Sequence, residues 1–378
     1  MPRKRLKVLF IEPNQAGHII GGSQIVHLET VKYLKEYVDI ISYWYQKTVY
    51  FDKLDGNCRK ALYMSTRSLE EHTIIGGMHR QYWKWLPFVS ILMREKPDIV
   101  HFNRAVIYAF PWAVLKLFFR YKLVIQAHGF ETIEKRVAKF ILRQADGLIY
   151  VSQAVSDFID NRRLIKRGKV IHNGVRSDIL EYVDYPKDKA RRELGIEPGE
   201  KALLVLGNIW DIKGQHRATA GMEKWSKVCD SCKLYLVGRI TDRAYFSCVE
   251  KAGAKSGSRI AYIKEGTDKP GLWLRAADLV LNPSTSETFG LNVVEAIACG
   301  TPVVTCADGG PPEILNTLGI GTVSDKDSFI GDVARILADD RELDRLRQEL
   351  KGKRDYYNFR RAADEVYDFY QSLYKQNN

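Results

Sequence analysis

The segment "ETFGLNVVEAIACG", residues 287 to 300, sets Glu287 and Glu295 eight positions apart in an otherwise apolar stretch. Carboxylates are rarely buried without partners, so each needs a cation, solvent or a polar ligand. On a helix, eight residues is slightly over two turns, which puts such a pair on one face. Two uses fit that spacing: a solvated stripe, or two acceptors for a hydroxyl-rich ligand at the helix start. Gly290, between them, permits close backbone approach to an anion.

Three other turns carry related chemistry. "LGNIWDIKGQH" (206–216) leads from a strand into a helix, with Lys213 near the helix start. A lysine and backbone N–H groups in that position suit a phosphate. "VGRITD" (237–242) offers Arg239 in the equivalent turn of the next unit, and "GHIIGGSQ" (17–24) places Gly21 and Gly22 between a first strand and a first helix. Phosphate recognition combined with carboxylates for hydroxyls describes a nucleotide sugar.

Those turns need strands and helices to aim them. In the first half "KVLFIEP", "YVDIISYW", "PDIVHFNR", "KLVIQAHG", "GLIYVS" and "KVIHNGV" read as strands. They are nearly continuous in apolar residues, as strands covered on both faces are. Between them lie helical patterns, such as "SQIVHLETVKYLKEY", where Ile25, Leu28, Val31 and Leu34 predict the inward stripe. "ALLVLG", "KLYLVG", "RIAYIK", "DLVLNPS" and "PVVTC" repeat the alternation, with helices expected over 214–228, 241–255, 290–299 and 326–338. The fold class predicted is α/β, two facing Rossmann-like doubly wound domains with a cleft between them. The domains are drawn at 1–177 and 178–355, with a C-terminal helix over 356–378 returning to the first. The link is placed in the polar stretch 176–200.

Bulk properties narrow the classes. At 378 residues, two domains are the default. Six cysteines, one pair of them in "CDSC" (229–232), make neither a disulfide framework nor a four-ligand zinc site, and no metal is expected. The longest apolar run, 105–119, contains Lys116 and Pro111 and falls short of a bilayer span. A cytoplasmic protein is expected. Residues 1–178 hold 29 Lys and Arg against 16 Asp and Glu, while the remainder holds 29 against 30. The positive excess therefore belongs to the first half and calls for an acidic partner or a reason to be tolerated. Nucleic acid is not expected to be that partner, because no nucleic-acid motif accompanies the charge.

Taken together, "GG" before the first helix, "HNGV" closing the first domain, "KG" after the second domain's first strand, and E-x7-E followed by "GTPVV" and "GGPPEI" resemble glycosyltransferase family 4. That family comprises retaining enzymes of the GT-B fold, and the resemblance runs from residue 7 to about 315. It implies that Glu287 accepts hydrogen bonds from the transferred sugar and Glu295 from the nucleotide ribose. It implies that the backbone N–H groups of Phe289, Gly290 and Leu291 face the diphosphate or sugar. Lys213 would neutralise the leaving diphosphate, Gly21 and Gly22 would close on it from the other domain, and His128 would lie near the donor sugar. The backbone of Ile263 matches the place where the base is held. The donor is then a nucleotide-diphosphate sugar, with no cofactor. The acceptor is expected to be a glycan or a lipid-linked sugar, with a soluble small acceptor or sugar phosphate as the alternative.

One position departs from the family pattern. Where members usually carry an arginine after the glycine of "LG", this chain has Asn208, which donates a hydrogen bond without charge. Arg239 is the candidate to compensate, the alternatives being weaker donor binding or a decayed enzyme. The stretch "MHRQYWKWLPFVSILMREK" (78–96) interleaves Arg80, Lys84, Arg94 and Lys96 with Tyr82, Trp83, Trp85 and Phe88. That mixture suits a segment at a headgroup boundary, so a peripheral position on an anionic membrane is expected.

Overall fold

The computed structural model describes residues 5–13, 21–45, 51–63, 74–75, 78–79, 86–104, 106–130, 136–159 and 164–374. The chain divides into two compact units, Met1–Asn173 with Phe359–Asn378, and Gly174–Asn358.

The first unit is built on β1 (Lys7–Glu12), β2 (Asp39–Trp44), β3 (Lys60–Tyr63), β4 (Ile74–Ile75), β5 (Met78–His79), β6 (Ile99–Asn103), β7 (Lys122–Ala127), β8 (Gly147–Tyr150) and β9 (Gly168–Val170). Seven of these form one sheet in the order β3-β2-β1-β6-β7-β8-β9, every pairing parallel. β4 and β5 are a separate antiparallel pair. Val8 to Ile11, Ile99, Val100 and Leu123 to Ile125 are fully buried, as a sheet covered on both faces requires. The helix Phe359–Ser372 returns to pack on the helix Gly22–Leu34. Tyr37 donates to Asp364 at 2.5 Å, and Tyr370 shares a hydrogen bond with His101 inside the core.

The first helix does not bury the stripe its aliphatic residues predicted. Val31 and Leu34 face inward, but the rest of the buried set is Gln24, Val26, His27 and Thr30, while Ile25 and Leu28 are only partly covered. The reason is packing partners: His27 lies edge-on to Phe10 at 4.5 Å and shares a 2.8 Å hydrogen bond with Ser42 of β2. A histidine that finds a hydroxyl and an aromatic edge can be buried neutral. Burial holds its pKa well below the usual imidazole range.

The second unit carries β10 (Lys201–Leu206), β11 (Cys232–Val237), β12 (Ile260–Ile263), β13 (Leu279–Asn282), β14 (Val303–Cys306) and β15 (Thr322–Ser324), parallel in the order β12-β11-β10-β13-β14-β15. Alternate residues, including Leu203, Val205, Leu234, Leu236, Leu279 and Leu281, join the helices 215–228, 243–253 and 329–338 in one core. Cys229 and Cys232 belong to that core, and burial raises the Cys232 thiol to about 12.

The polar stretch 176–200 is not an extended link. It forms the helices Ser177–Leu180 and Lys187–Leu194 and belongs to the second unit. Asp278, just before β13, explains its order: Lys187 reaches the carboxylate at 2.6 Å, Arg191 at 2.9 Å and Arg347 at 2.8 Å. Three cations and the Ala202 N–H, at 2.9 Å, satisfy one mostly buried carboxylate. Among the described residues, no helix is long and apolar enough to cross a membrane.

Candidate active site

In both sheets the strand order reverses beside the first strand, between β1 and β6 and between β10 and β13. Ligands of doubly wound sheets bind beyond the carboxyl ends of the strands at such a reversal. Lys213 follows β10 and Glu287 follows β13, which places both at the reversal of the second unit.

Backbone contacts between the two loops bring them together. The Ile212 carbonyl accepts from the Ser284 hydroxyl at 2.7 Å and from the Thr285 N–H at 3.2 Å. Gly214, at φ +66°, lets the chain pass so close to Pro283 that a Cβ would sit 2.1 Å from its carbonyl oxygen. From this turn the Lys213 ammonium forms an ion pair with the Glu287 carboxylate, both groups being partly open to solvent. A pair of glycines supports Glu287 from behind. Gly310 N–H donates to the Glu287 carbonyl at 2.8 Å, and a Cβ on Gly309 would lie 2.0 Å from that same oxygen.

Glu287 is therefore a loop residue, because the helix begins only at Leu291 (Leu291–Ala298). The two glutamates do not share a helical face. Glu295 lies inside the helix, 3% exposed, and accepts from Arg176 Nε at 2.7 Å. Arg176 follows "HNGV" and was not singled out from the sequence. The basic residue ending that motif is the signal that could have found it, since a buried glutamate needs a cation. Phe289 is buried and lies against Tyr357, with Gly290 (φ +97°) and Leu291 at the helix's positive end.

The turns after β10 and β11 adjoin. A Cβ on Gly238 would meet the Gly207 carbonyl at 1.9 Å and the Asn208 nitrogen at 3.2 Å, and Ile209 N–H donates to the Arg239 carbonyl at 2.8 Å. Arg239 is exposed beside half-buried Asn208, whose carbonyl accepts from Gln215 at 2.9 Å. Ile263 ends β12, and its carbonyl accepts from Gly238 and Gly266.

The first unit holds the remaining residues. Gly21 precedes the helix Gly22–Leu34 and both glycines are exposed, with open space around a Cβ at Gly21. The Gly21 N–H is already engaged by the Gln24 side chain at 3.2 Å. His128, after β7, bonds through Nε2 to Asn103 Oδ1 at 2.7 Å. Asn103 ends β6 and donates to Glu12 Oε2 at 2.8 Å and to the Ser23 carbonyl at 2.9 Å. Burial raises Glu12 to about 7, opposed by the Asn103 hydrogen bond and the Arg104 charge. His128 is half-buried, and burial, aided by Arg104, brings its pKa down to about 3. It is a neutral imidazole at physiological pH. Glu12 and Asn103 were not among the residues expected at a site, although a lone acid inside "KVLFIEP" is the signal that marks Glu12.

Arg80, Tyr82, Trp83, Lys84 and Trp85 lie outside the described residues. Among those described, no group of three or more His, Cys, Asp or Glu side chains is arranged to hold a metal ion.

Two family models match, one over most of each unit: glycosyltransferase family 4 over residues 20–178 and glycosyl transferases group 1 over residues 186–353. The chain belongs to glycosyltransferase family 4. A relative within the family is N-acetyl-alpha-D-glucosaminyl L-malate synthase of Bacillus anthracis, 27% identical over 75% of this chain and 76% of its own length. Another is alpha-monoglucosyldiacylglycerol synthase of Streptococcus pneumoniae, 30% identical over 51% of this chain, and the match spans only 42% of that protein. A match to D-inositol 3-phosphate glycosyltransferase of Segniliparus rotundus likewise spans 36% of it. Among solved structures, Anabaena HepE in complex with UDP and glucose superposes with a TM-score of 0.77 at 19% identity, over 97% of this chain and all of that one. The two parallel-sheet domains are those of the GT-B fold.

Proposed function

We propose that this chain is a retaining glycosyltransferase that moves a hexose-type sugar from a nucleoside-diphosphate sugar to an acceptor hydroxyl. The observation that carries the reading is the Lys213–Glu287 pair at the strand-order reversal, beside a helix start, in a family 4 chain. An ammonium and the positive end of a helix match a diphosphate, and the adjoining carboxylate matches sugar hydroxyls. In the reaction, the bond between the anomeric carbon and the diphosphate oxygen breaks and its electron pair leaves with the diphosphate. The acceptor oxygen bonds to the anomeric carbon from the same face, and its proton passes to the departing phosphate oxygen. Lys213 neutralises the charge that develops, a preorganised electrostatic contribution that needs no metal ion. Arg239 supplies the positive charge that Asn208 lacks, and Glu295 and the Ile263 backbone hold the nucleoside.

The proposed acceptor is a lipid-linked glycan or glycolipid at the cytoplasmic membrane face. The basic first half favours it, as do relatives named for a glucosyldiacylglycerol and for lipopolysaccharide, the latter being glucosyltransferase WaaG of Escherichia coli. A small soluble acceptor is the second reading, favoured by the Bacillus anthracis relative, whose name specifies L-malate. Incubation with UDP- and GDP-sugars, read by mass spectrometry, tests the donor class: slow release of free sugar and nucleoside diphosphate is expected from at least one. Hydrolysis of none of them, by protein that still melts cooperatively, overturns the reading.

A further inference from the structure

Behind His128 lies a chain of polar groups whose chemistry fixes more than its distances. The Asn103 amide nitrogen faces the Ser23 carbonyl and Glu12 Oε2. A backbone carbonyl can only accept, so this nitrogen must be the NH₂ and the atom facing His128 must be the amide oxygen. That oxygen also only accepts, so His128 carries its proton on Nε2. The ring is neutral, and the other nitrogen, Nδ1, is left with its lone pair. Asn103 is fully buried, and Glu12 is fully buried with its second oxygen, Oε1, unpartnered among the described residues. Burying a carboxyl with one oxygen unmatched is costly, and a fold retains it only where something compensates.

We propose that Glu12 and Asn103 are positioning residues that lock His128 in its Nε2-protonated tautomer, so that Nδ1 is presented as a hydrogen-bond acceptor to a sugar hydroxyl. The proposal rests on the proposed function, in which the ligand that meets His128 is a substrate sugar. It adds a requirement on the direction of the hydrogen bond: the substrate must donate. A sugar in which the contacted hydroxyl is replaced by hydrogen or fluorine would lose the contact. The relay also ties the sugar-facing ring to the first turn of the helix Gly22–Leu34 through the Ser23 carbonyl. One side chain, Asn103, thereby bonds both the His128 ring and the backbone next to Gly22.

The test is ¹⁵N NMR of the full chain labelled at histidine, with the His128 signal assigned by loss in His128→Gln. At pH 7 the neutral Nε2–H pattern is expected, and Asn103→Leu should convert it to a tautomer mixture. An Nδ1–H or mixed pattern in the parent overturns the relay without touching the glycosyltransferase reading. A second arm uses UDP-glucose hydrolysis. Asn103→Ala and His128→Ala should each lower kcat roughly 10- to 100-fold with KM little changed, and the double variant should be no slower than the worse single one. Additive losses would show that Asn103 does not act through His128. If no nucleotide sugar is hydrolysed, the function reading fails while the parent spectrum still decides the tautomer.

Discussion

Lys213 and Glu287 neutralise one another at the ends of two paired strands. Each is partly exposed and held by a loop, so truncation leaves the sheet core intact. Lys213→Ala and Glu287→Ala are expected to melt within a few degrees of the parent and to lose on the order of 100-fold in turnover, the scale of one transition-state donor. Activity within threefold of the parent in either variant would take that residue out of the site. Glu12 makes the opposite kind of prediction, one about stability. Its pKa is raised from 4.5 to about 7, so the folded state holds the proton more tightly than the unfolded chain. The stabilising contribution is full below about pH 4.5 and is lost as pH rises to about 7, at most on the order of 3 kcal/mol. Glu12→Gln should therefore resist urea better than the parent at pH 8 and match it at pH 4. His101 and His128, both lowered to about 3, cost stability as pH falls below 6.5, but they do so equally in both proteins. An equal urea midpoint at pH 8 would refute the burial account of Glu12. Lys213 and Glu287 stand out in the sequence because each lies near a glycine in a strand-to-helix turn, and Glu295 because it is a charge within an apolar helix. Asn103 does not, because its role arises only when segments distant in sequence meet, and Arg176 shows only its charge after "HNGV", not its partner.

At the scale of elements, both parallel sheets were legible because strands buried on both faces are nearly unbroken apolar runs. Helix faces were less so. The first helix turns Gln24, His27 and Thr30 inward; Ser42 on β2 makes His27 buriable, and the Gln24 side-chain oxygen engages the Gly21 N–H. The segment 176–200 reads as a linker by composition, yet Lys187 and Arg191 are polar precisely where Asp278 requires them. The glycines of "GGPPEI" matched a family pattern whose physical reason appears only in three dimensions. Gly309, at φ +79°, leaves no room between itself and the Glu287 carbonyl, whereas Gly319, at φ +59°, has open space around it. Gly319→Ala should cost only left-handed strain, about 1–2 kcal/mol. Gly309→Ala should cost clearly more and displace Glu287, visible as a lower urea midpoint together with lost turnover. Equal midpoints for the two variants would refute the close-contact explanation.

At the scale of the whole molecule, the charge is divided as unevenly as the chemistry. The balance is 29 Lys and Arg against 16 Asp and Glu in residues 1–178, and 29 against 30 beyond. Near an acidic bilayer each basic side chain is worth roughly 1 kcal/mol, so a few give reversible attachment. Cosedimentation with phosphatidylglycerol vesicles is expected, reversed by salt and absent with neutral vesicles. Equal binding to both, or none to either at low salt, would favour the small soluble acceptor. The returning C-terminal helix has a different consequence, one that concerns time. Phe359–Ser372 completes the first unit, with Tyr370 bonded to His101 in its core, although the whole second unit intervenes in the chain. Domains made early usually fold early during synthesis. Here the half begun first is finished last, so the later half can close while the earlier one still waits on the ribosome. A nascent chain stalled with residue 358 just outside the exit tunnel should show protease resistance in 174–358 and sensitivity in 1–173, and resistance should reach the first unit only once the last helix has emerged.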